Sequence, residues 1–275
     1  MALVECVPNV SESRRTIVYE LCAAVRDAVL LDCTSDVDHN RSVLTFAGEP
    51  EQVLLAAINL AEAVFARADL REHEGVHPRI GVLDVLPFVP VMGVTLEYCA
   101  ELARKAAEEL WRRFRVPSFL YEAAGSRTLE RVRLAEREGA APDVGMGRNL
   151  AAGAVAVGAR NFLVAWNIWL ATEDVEIARQ IARAVRASSG GFRGVKALGL
   201  GLKSRGMVQV SINSVDFEAT PLHVVFEAVE RMAREAGVGV VGSELIGLIP
   251  ERAVALSRGH DLKWMHWDEG MIFER

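Results

Sequence analysis

The same order of strand-like and helix-like segments occurs twice along this chain of 275 residues. Apolar residues at every second position indicate strands, and a spacing of about 3.6 residues indicates amphipathic helices. In the first half, we predict strands over Leu3–Val7, Val29–Cys33, Ser42–Phe46 and Ile80–Val89, with helices over Arg14–Asp27 and from Pro50 to about Ala68. In the second half, we predict strands over Phe162–Leu170, Val195–Leu202, Met207–Ile212 and near Leu245–Ile249, with helices over Asp174–Ala187 and Leu222–Ala236.

Each half therefore has the order β-α-β-β-α-β, which is that of the split βαβ unit. The predicted fold class is α+β, with two consecutive ferredoxin-like (βαββαβ) subdomains over residues 1–158 and 159–275. A further helix that Thr95 caps and a strand over Val116–Tyr121 follow the first repeat. The Gly- and Ala-rich segment Gly139–Gly158 is either a linker or a place where backbone approaches a ligand, since glycine permits close approach.

Charge and hydropathy exclude several classes of protein. The net charge of −6 argues against binding to nucleic acid or to an anionic membrane, because both need a basic surface. No apolar stretch approaches the roughly 20 residues that span a bilayer. The four cysteines form no CxxC pair and are expected to be reduced and buried, and no leader precedes the first strand, so we expect a cytoplasmic protein.

The densest polar cluster, Arg71–Arg79, contains the pattern H-E-x-x-H at His73, Glu74 and His77. A zinc protease needs both histidines on one face of a helix. Gly75 costs such a helix about 1 kcal/mol, and Pro78 disfavours helical backbone at His77. We therefore predict a loop without a metal. A histidine in it is either a surface residue or a group that takes and returns a proton near neutral pH.

Two other polar clusters are candidates for ligand binding. Asp38–Arg41 directly precedes a predicted strand, and Gln209, Ser211 and Asn213 alternate along another, so the three share one face. That face is either exposed to solvent or covered by a ligand that would satisfy the amides.

Several segments, taken together in order and spacing, are specific to one family. The chain resembles the formiminotransferase domain of glutamate formimidoyltransferases along nearly its whole length. The segments that carry this resemblance are Val4–Glu12, Asn40–Phe46, Gly75–Val85, Gly158–Ala165, Val208–Ser211 and Val241–Pro250.

The resemblance implies a folate-binding tunnel between the two subdomains, usually in a homodimer. It implies transfer of the formimino group from N-formimino-L-glutamate to tetrahydrofolate, the co-substrate, in histidine degradation. The catalytic histidine of the family falls on His77. Its folate-binding segment falls near Gly145–Gly153, where the candidate residues are Gly145, Gly147, Arg148, Asn149, Ala152 and Gly153.

The remaining candidate residues follow from the chemistry of these substrates. Both substrates carry carboxylates, for which arginine is the best bidentate partner, so Arg41 and Arg79 are the candidate anchors. The candidates for orienting the pterin and amidine groups are Asn9, Asn40, Gln209, Ser211 and Asn213.

The segment Gly145–Gly153 departs from the family, which commonly has a Ser/Pro-rich stretch with an aromatic residue there. Two alternatives therefore stay open: a glutamate formyltransferase that uses 5-formyltetrahydrofolate, and a folate-binding protein without catalysis. Bifunctional members continue into a cyclodeaminase domain. Since the chain ends at Arg275, we expect a separate protein to release ammonia from the product.

Overall fold

A computed structural model of the chain describes residues 2–273, which form two compact units. The first unit ends at Asn161 and the second begins at Phe162. The boundary predicted between residues 158 and 159 falls inside the last strand of the first unit. Met1, Glu274 and Arg275, which the predicted subdomains include, lie outside the described residues.

The first unit has the ferredoxin-like order with an extension. Its strands are β1 (Leu3–Cys6), β2 (Asn9–Val10), β3 (Val29–Asp36), β4 (Arg41–Gly48), β5 (Leu83–Met92), β6 (Ser118–Glu122) and β7 (Val155–Ala159), and its helices are α1 (Arg15–Ala24), α2 (Pro50–Arg67), α3 (Leu96–Phe114) and α4 (Leu129–Arg137). β1 and β2 lie between β4 and β5, and β3 pairs with the outer side of β4. β7 and then β6 continue the sheet beyond β5 in parallel.

Local sequence explains where the long helices begin. Pro50 occupies the first turn of α2, where its missing N–H costs nothing, and Thr95 caps α3 by accepting a hydrogen bond from the Tyr98 N–H at 3.2 Å. Val53, Leu60 and Val64 of α2 recur at helical spacing and are buried in the core of this unit. One face of the sheet is thus covered by α1, α2 and α3.

The helix α4 packs on the opposite face of this sheet. Its Val132 is fully buried in a separate cluster with Ile80, Val85 and Phe119. This placement brings the polar side of α4 to the start of β5.

The second unit repeats the ferredoxin-like order. Its elements are β8 (Val164–Leu170), α5 (Val175–Val185), β9 (Val195–Leu202), β10 (Met207–Ser214), α6 (Leu222–Glu235), β11 (Val240–Ile246) and α7 (Glu251–Leu256). The strand order is β11-β8-β10-β9, and every pair is antiparallel. The α+β class and the twin βαββαβ pattern are therefore confirmed.

Three elements of the first unit were not predicted. The short strand β2 and the helix α4 are absent from the prediction, and β7 occupies the end of the segment interpreted as a Gly- and Ala-rich linker. In addition, β3 extends to Asp36, past the predicted end at Cys33. Among residues 2–273, no helix is both long and apolar enough to cross a membrane.

Candidate active site

His77 lies in a loop, as predicted. A short 3-10 turn covers Leu70–Glu72, and the chain between this turn and β5 contains no helix. His73 and His77 therefore do not share a helical face. The Nε2 of His73 instead donates to the Asn40 carbonyl at 2.8 Å. Within the described part of the chain, no group of three or more potential metal-ligating side chains is found.

The loop over residues 73–79, called the His77 loop below, is attached to the hairpin between β3 and β4. The Val76 N–H donates to the Asp38 carbonyl at 3.2 Å, and the Asn40 side-chain amide donates to the Glu74 carbonyl at 2.8 Å. With the bond from His73, three hydrogen bonds therefore join the loop to residues that close the hairpin. These hydrogen bonds fix the backbone of the loop, so its side chains have defined positions although the loop contains no helix.

Gly75 and Arg79 tighten the His77 loop further. The Arg79 Nη2 donates to the Gly75 carbonyl at 2.6 Å and to the His77 carbonyl at 2.8 Å. Gly75 approaches the hairpin so closely that an added Cβ would lie 2.3 Å from the His39 carbonyl oxygen. Only glycine fits this approach, because backbone cannot move aside as a flexible side chain can.

We therefore expect Gly75→Ala to displace the His77 loop. A displacement of about 1 Å at a catalytic group costs on the order of 100-fold in rate. The family resemblance implies that His77 is catalytic, so we expect a loss of this size in kcat/KM for formimino transfer. Gly239→Ala is the matched control, since an added Cβ there meets nothing within 4 Å. Steady-state kinetics checks the prediction, and a Gly75→Ala enzyme as active as the control would contradict it.

The ring of His77 is fixed in one tautomer. Its Nδ1 lies 2.8 Å from the Pro78 carbonyl oxygen, and since a carbonyl oxygen only accepts, Nδ1 carries the proton. The lone pair of the neutral ring is therefore on Nε2, for which the described residues provide no hydrogen-bond donor. The ring of the buried His39 lies beside it, with 5.9 Å between the centroids.

A fully buried carboxylate, that of Asp84, organises the surroundings of this loop. Asn9 pairs with Val85 and Val10 pairs with Leu83, so Asp84 is the extra residue of a β-bulge in β5. Bulges redirect side chains in this way. One oxygen of Asp84, Oδ1, accepts from the Ile80 N–H at 2.7 Å, which fixes the chain directly after the His77 loop.

The other oxygen of Asp84 binds two arginines. Its Oδ2 accepts from the Arg41 Nη2 at 2.9 Å and from the Arg133 Nη2 at 2.8 Å. Arg41, at the start of β4, also donates through Nε and Nη2 to the Asn9 Oδ1 at 3.1 and 2.9 Å. Two guanidinium groups on one carboxylate leave a net positive charge, and we call Asp84, Arg41 and Arg133 the Asp84 cluster.

The positive charge of the Asp84 cluster affects the pKa of His77. Burial, followed by the positive charges of Arg41 and Arg133, lowers the pKa of His77 well below its ordinary value of 6.5, and the Asp84 carboxylate offsets only part of this. Burial by itself raises the pKa of Asp84, but the charges of Arg41 and Arg133, together with the hydrogen bond from the Ile80 N–H, keep that pKa below its ordinary value. At neutral pH, the cluster is therefore charged and His77 is a neutral base.

The predicted folate-binding segment lies against the chain that follows the His77 loop. The Val82 N–H donates to the Ala152 carbonyl, and the Ala154 N–H donates to the Ile80 carbonyl, both at 2.9 Å. Gly153 has a φ of 73°, and an added Cβ would lie 2.3 Å from the Ile80 carbonyl oxygen. This end of the segment is thus hydrogen-bonded to the residues that directly follow the His77 loop.

The rest of the segment is more open. Asn149 shapes it, because its Oδ1 accepts from the N–H groups of Ala151 and Ala152 at 3.1 and 2.9 Å. Gly145 packs on the ring of Trp111, with an added Cβ 2.6 Å from the ring. Gly147 and Arg148 are exposed.

The structure places the predicted site residues in two groups. Asn9, Asn40, Arg41 and Arg79 lie in the first unit with His77, in the contacts given above. Gln209, Ser211 and Asn213 lie in the second unit on β10, whose alternate residues Val208, Val210 and Ile212 enter the core. Gln209 is buried and Asn213 is exposed. Their roles in binding stay predictions.

Sequence reasoning missed Asp84 and Arg133. Asp84 is the only charged residue in the apolar run Ile80–Val89, and this could have marked it as a buried, paired carboxylate. Arg133 carries no comparable signal, since four other arginines or glutamates flank it within α4.

Two family models and several known proteins match this chain. Residues 3–160 match the family model described as "Formiminotransferase domain, N-terminal subdomain", and residues 165–265 match "Formiminotransferase domain". The chain is 40% identical to a glutamate formimidoyltransferase of Streptococcus pyogenes serotype M1, over 92% of this chain and 90% of that protein. It is 37% identical to one of Thermoplasma acidophilum, over 100% and 97%. It is also 40% identical to the formimidoyltransferase-cyclodeaminase of Sus scrofa, over 92% of this chain and 51% of that protein. The chain therefore belongs to the formiminotransferase family.

Proposed function

We propose that this protein is a glutamate formimidoyltransferase that transfers the formimino group from N-formimino-L-glutamate to N5 of tetrahydrofolate, a step of histidine degradation. The observation that carries the proposal is a neutral His77 whose Nδ1 is committed to the Pro78 carbonyl. Its Nε2 is thereby left as a base beside a positively charged cluster. The names of the two relatives of similar length support the same activity.

The reaction needs one proton to change place. The formimino carbon leaves the glutamate nitrogen and bonds to N5 of the pterin, so N5 loses a proton and the glutamate nitrogen gains one. His77 accepts the proton at Nε2 and returns it to the departing nitrogen. Such transfer by a positioned group contributes about 10²- to 10⁴-fold to the rate.

The charges of the site fit anionic substrates. Both substrates carry carboxylates, and the Asp84 cluster has one positive charge in excess, with Arg79 nearby on the His77 loop. A cation in a protected site attracts carboxylates strongly, and guanidinium groups bind them through paired hydrogen bonds. In this proposal, Arg41 and Arg79 also contribute to carboxylate binding, and Asn9 and Asn40 contribute amide groups.

We assign folate binding to the segment from Gly145 to Gly153. Its end at Ala152 and Gly153 is hydrogen-bonded to the chain directly after the His77 loop, so folate held there is close to the base. Gln209, Ser211 and Asn213 are assigned to the same substrates as hydrogen-bonding groups. The cytoplasmic location and the homodimer belong to this proposal; the four free cysteines support the first, and the family resemblance supports the second.

A transfer assay tests the proposal. The purified protein is mixed with tetrahydrofolate and N-formimino-L-glutamate, and release of L-glutamate is measured beside formation of 5-formiminotetrahydrofolate. A parallel reaction supplies N-formyl-L-glutamate with tetrahydrofolate, and another supplies 5-formyltetrahydrofolate with L-glutamate. Turnover with the formimino donor supports the proposal. Transfer of formyl groups alone, or tight folate binding without any transfer, would overturn it.

The lowered pKa of His77 predicts an unusual pH profile. His77 accepts a proton only when neutral, so activity is lost as pH falls through its pKa, which lies below 6.5. We expect kcat/KM to stay flat from pH 8 down to 6.5 and to fall only at more acidic pH. Steady-state rates in buffers of constant ionic strength measure this, and a midpoint at or above pH 6.5 would show that burial and the Asp84 cluster do not lower the pKa of His77.

A further inference from the structure

We propose that Arg133 binds the α-carboxylate of the glutamate moiety, and thereby selects an α-amino acid donor; this rests on the proposed function. Arg133 lies on α4 and is joined to the His77 loop through one residue. Its Nη2 binds Asp84 Oδ2, while Asp84 Oδ1 binds the Ile80 N–H directly after that loop.

The two arginines of the Asp84 cluster differ in the donors they have left. Arg41 is 8% exposed, and both Nε and Nη2 are hydrogen-bonded to Asn9 or Asp84. The Nε of Arg133 is buried and has no hydrogen-bond partner among the described residues. A buried N–H of a charged group without a partner is costly, so native structures almost always supply one.

The missing partner is an anion with two oxygens. Asp84 neutralises one of the two guanidinium groups, so the cluster retains one positive charge. Nη2 carries two hydrogens and gives one of them to Asp84 Oδ2. The other lies on the same edge of the guanidinium as the Nε–H, and these two form a planar pair of donors that matches a carboxylate. A bound carboxylate would satisfy the buried N–H and balance the charge at once.

The chemistry of the donor indicates which carboxylate this is. The formimino group is bonded to the α-nitrogen of glutamate, and the α-carboxylate is on the carbon next to that nitrogen. His77 must reach the α-nitrogen to protonate it. The carboxylate closest to the reacting nitrogen therefore meets the arginine that is linked, through Asp84, to the His77 loop.

Binding of L-glutamate to the full-length protein, measured by calorimetry at pH 8, tests the proposal. His77 is neutral at this pH, so its titration does not affect the result. Arg133→Gln loses a charge-assisted hydrogen bond, so its dissociation constant for L-glutamate is expected to be about 10- to 100-fold higher than that of the parent. Arg131→Gln, on the exposed side of the same helix, is the matched control and is expected to bind like the parent.

A second variant separates binding from folding. Arg133→Lys keeps the charge that pairs with Asp84 but lacks the Nε–H, so it is expected to unfold near the parent temperature and still to bind L-glutamate about 10-fold more weakly. Tetrahydrofolate affinity is expected to stay within about twofold in both variants. Binding of L-glutamate by Arg133→Lys and Arg133→Gln at the parent affinity would overturn the proposal, as would absence of L-glutamate binding by the parent.

Changing the ligand identifies the carboxylate. L-isoglutamine, in which the α-carboxylate is an amide, is expected to bind the parent about 10- to 100-fold more weakly than L-glutamate but to bind Arg133→Gln about as well as L-glutamate does. Equal discrimination by both proteins would assign Arg133 a purely structural role. If the parent binds L-glutamate through Arg133 but transfers no formimino group, the proposed function fails and this assignment of the arginine stands.

Discussion

Replacing His77 by asparagine is expected to lower kcat for formimino transfer about 10²- to 10⁴-fold, the range of a lost general base. The side-chain amide of asparagine can occupy the place of Nδ1 and donate to the Pro78 carbonyl, so the His77 loop keeps that bond. The base at Nε2 is removed. Loss of rate therefore reports proton transfer rather than a disordered loop.

Substrate binding separates the base from other roles of this histidine. Tetrahydrofolate binding, measured by fluorescence, is expected to change little in His77→Asn, because the asparagine side chain keeps the loop in place. His266→Ala is the matched control, since that side chain is exposed in the second unit, and it is expected to leave kcat unchanged. Transfer near the parent rate by His77→Asn, with folate bound, would show that another group moves the proton.

The repeated βαββαβ pattern was predictable because each element has its own periodicity. In β10, Val208, Val210 and Ile212 alternate with polar residues, which indicates a strand. In α2, apolar residues recur at helical spacing, which indicates a helix. The loop nature of residues 73–79 followed from Gly75 and Pro78 alone. These are local properties of the sequence.

The missed elements of the first unit lack such a signal. β7 is a short parallel strand in the interior of a sheet, buried on both faces, so its residues do not alternate. Its Gly and Ala content resembles that of a linker. α4 carries charges around most of its surface and buries only Val132, which is too little for an amphipathic pattern.

The Asp84 cluster could not be predicted because it depends on tertiary structure. Arg41 and Arg133 are 43 and 49 residues from Asp84, and a bulge in β5 turns the carboxylate to meet them. The sequence predicts His77 as the base, whereas the groups that lower its pKa come together only in the folded unit.

The second large effect is a loss of stability when the carboxylate of Asp84 is replaced. Asp84→Asn removes the charge that both guanidinium groups share while keeping the shape of the side chain. Breaking a buried ion pair from one side costs about 3–5 kcal/mol, because the partner charge is left buried and unpaired. Asp84 is 0% exposed, so solvent does not screen this loss. The variant is therefore expected to unfold at a clearly lower urea concentration than the parent, because the first unit, which contains Asp84, loses stability.

Two comparisons attribute this loss to the unpaired arginines. Glu235→Gln removes an exposed ion pair with Arg231 and is expected to cost no more than about 0.5 kcal/mol. Adding Arg133→Gln to Asp84→Asn removes one of the two unpaired cations, so the double variant is expected to be more stable than the sum of the single changes predicts. If Asp84→Asn unfolded at the parent urea concentration, or if the two changes were additive, the carboxylate would not be what holds the arginines beside His77.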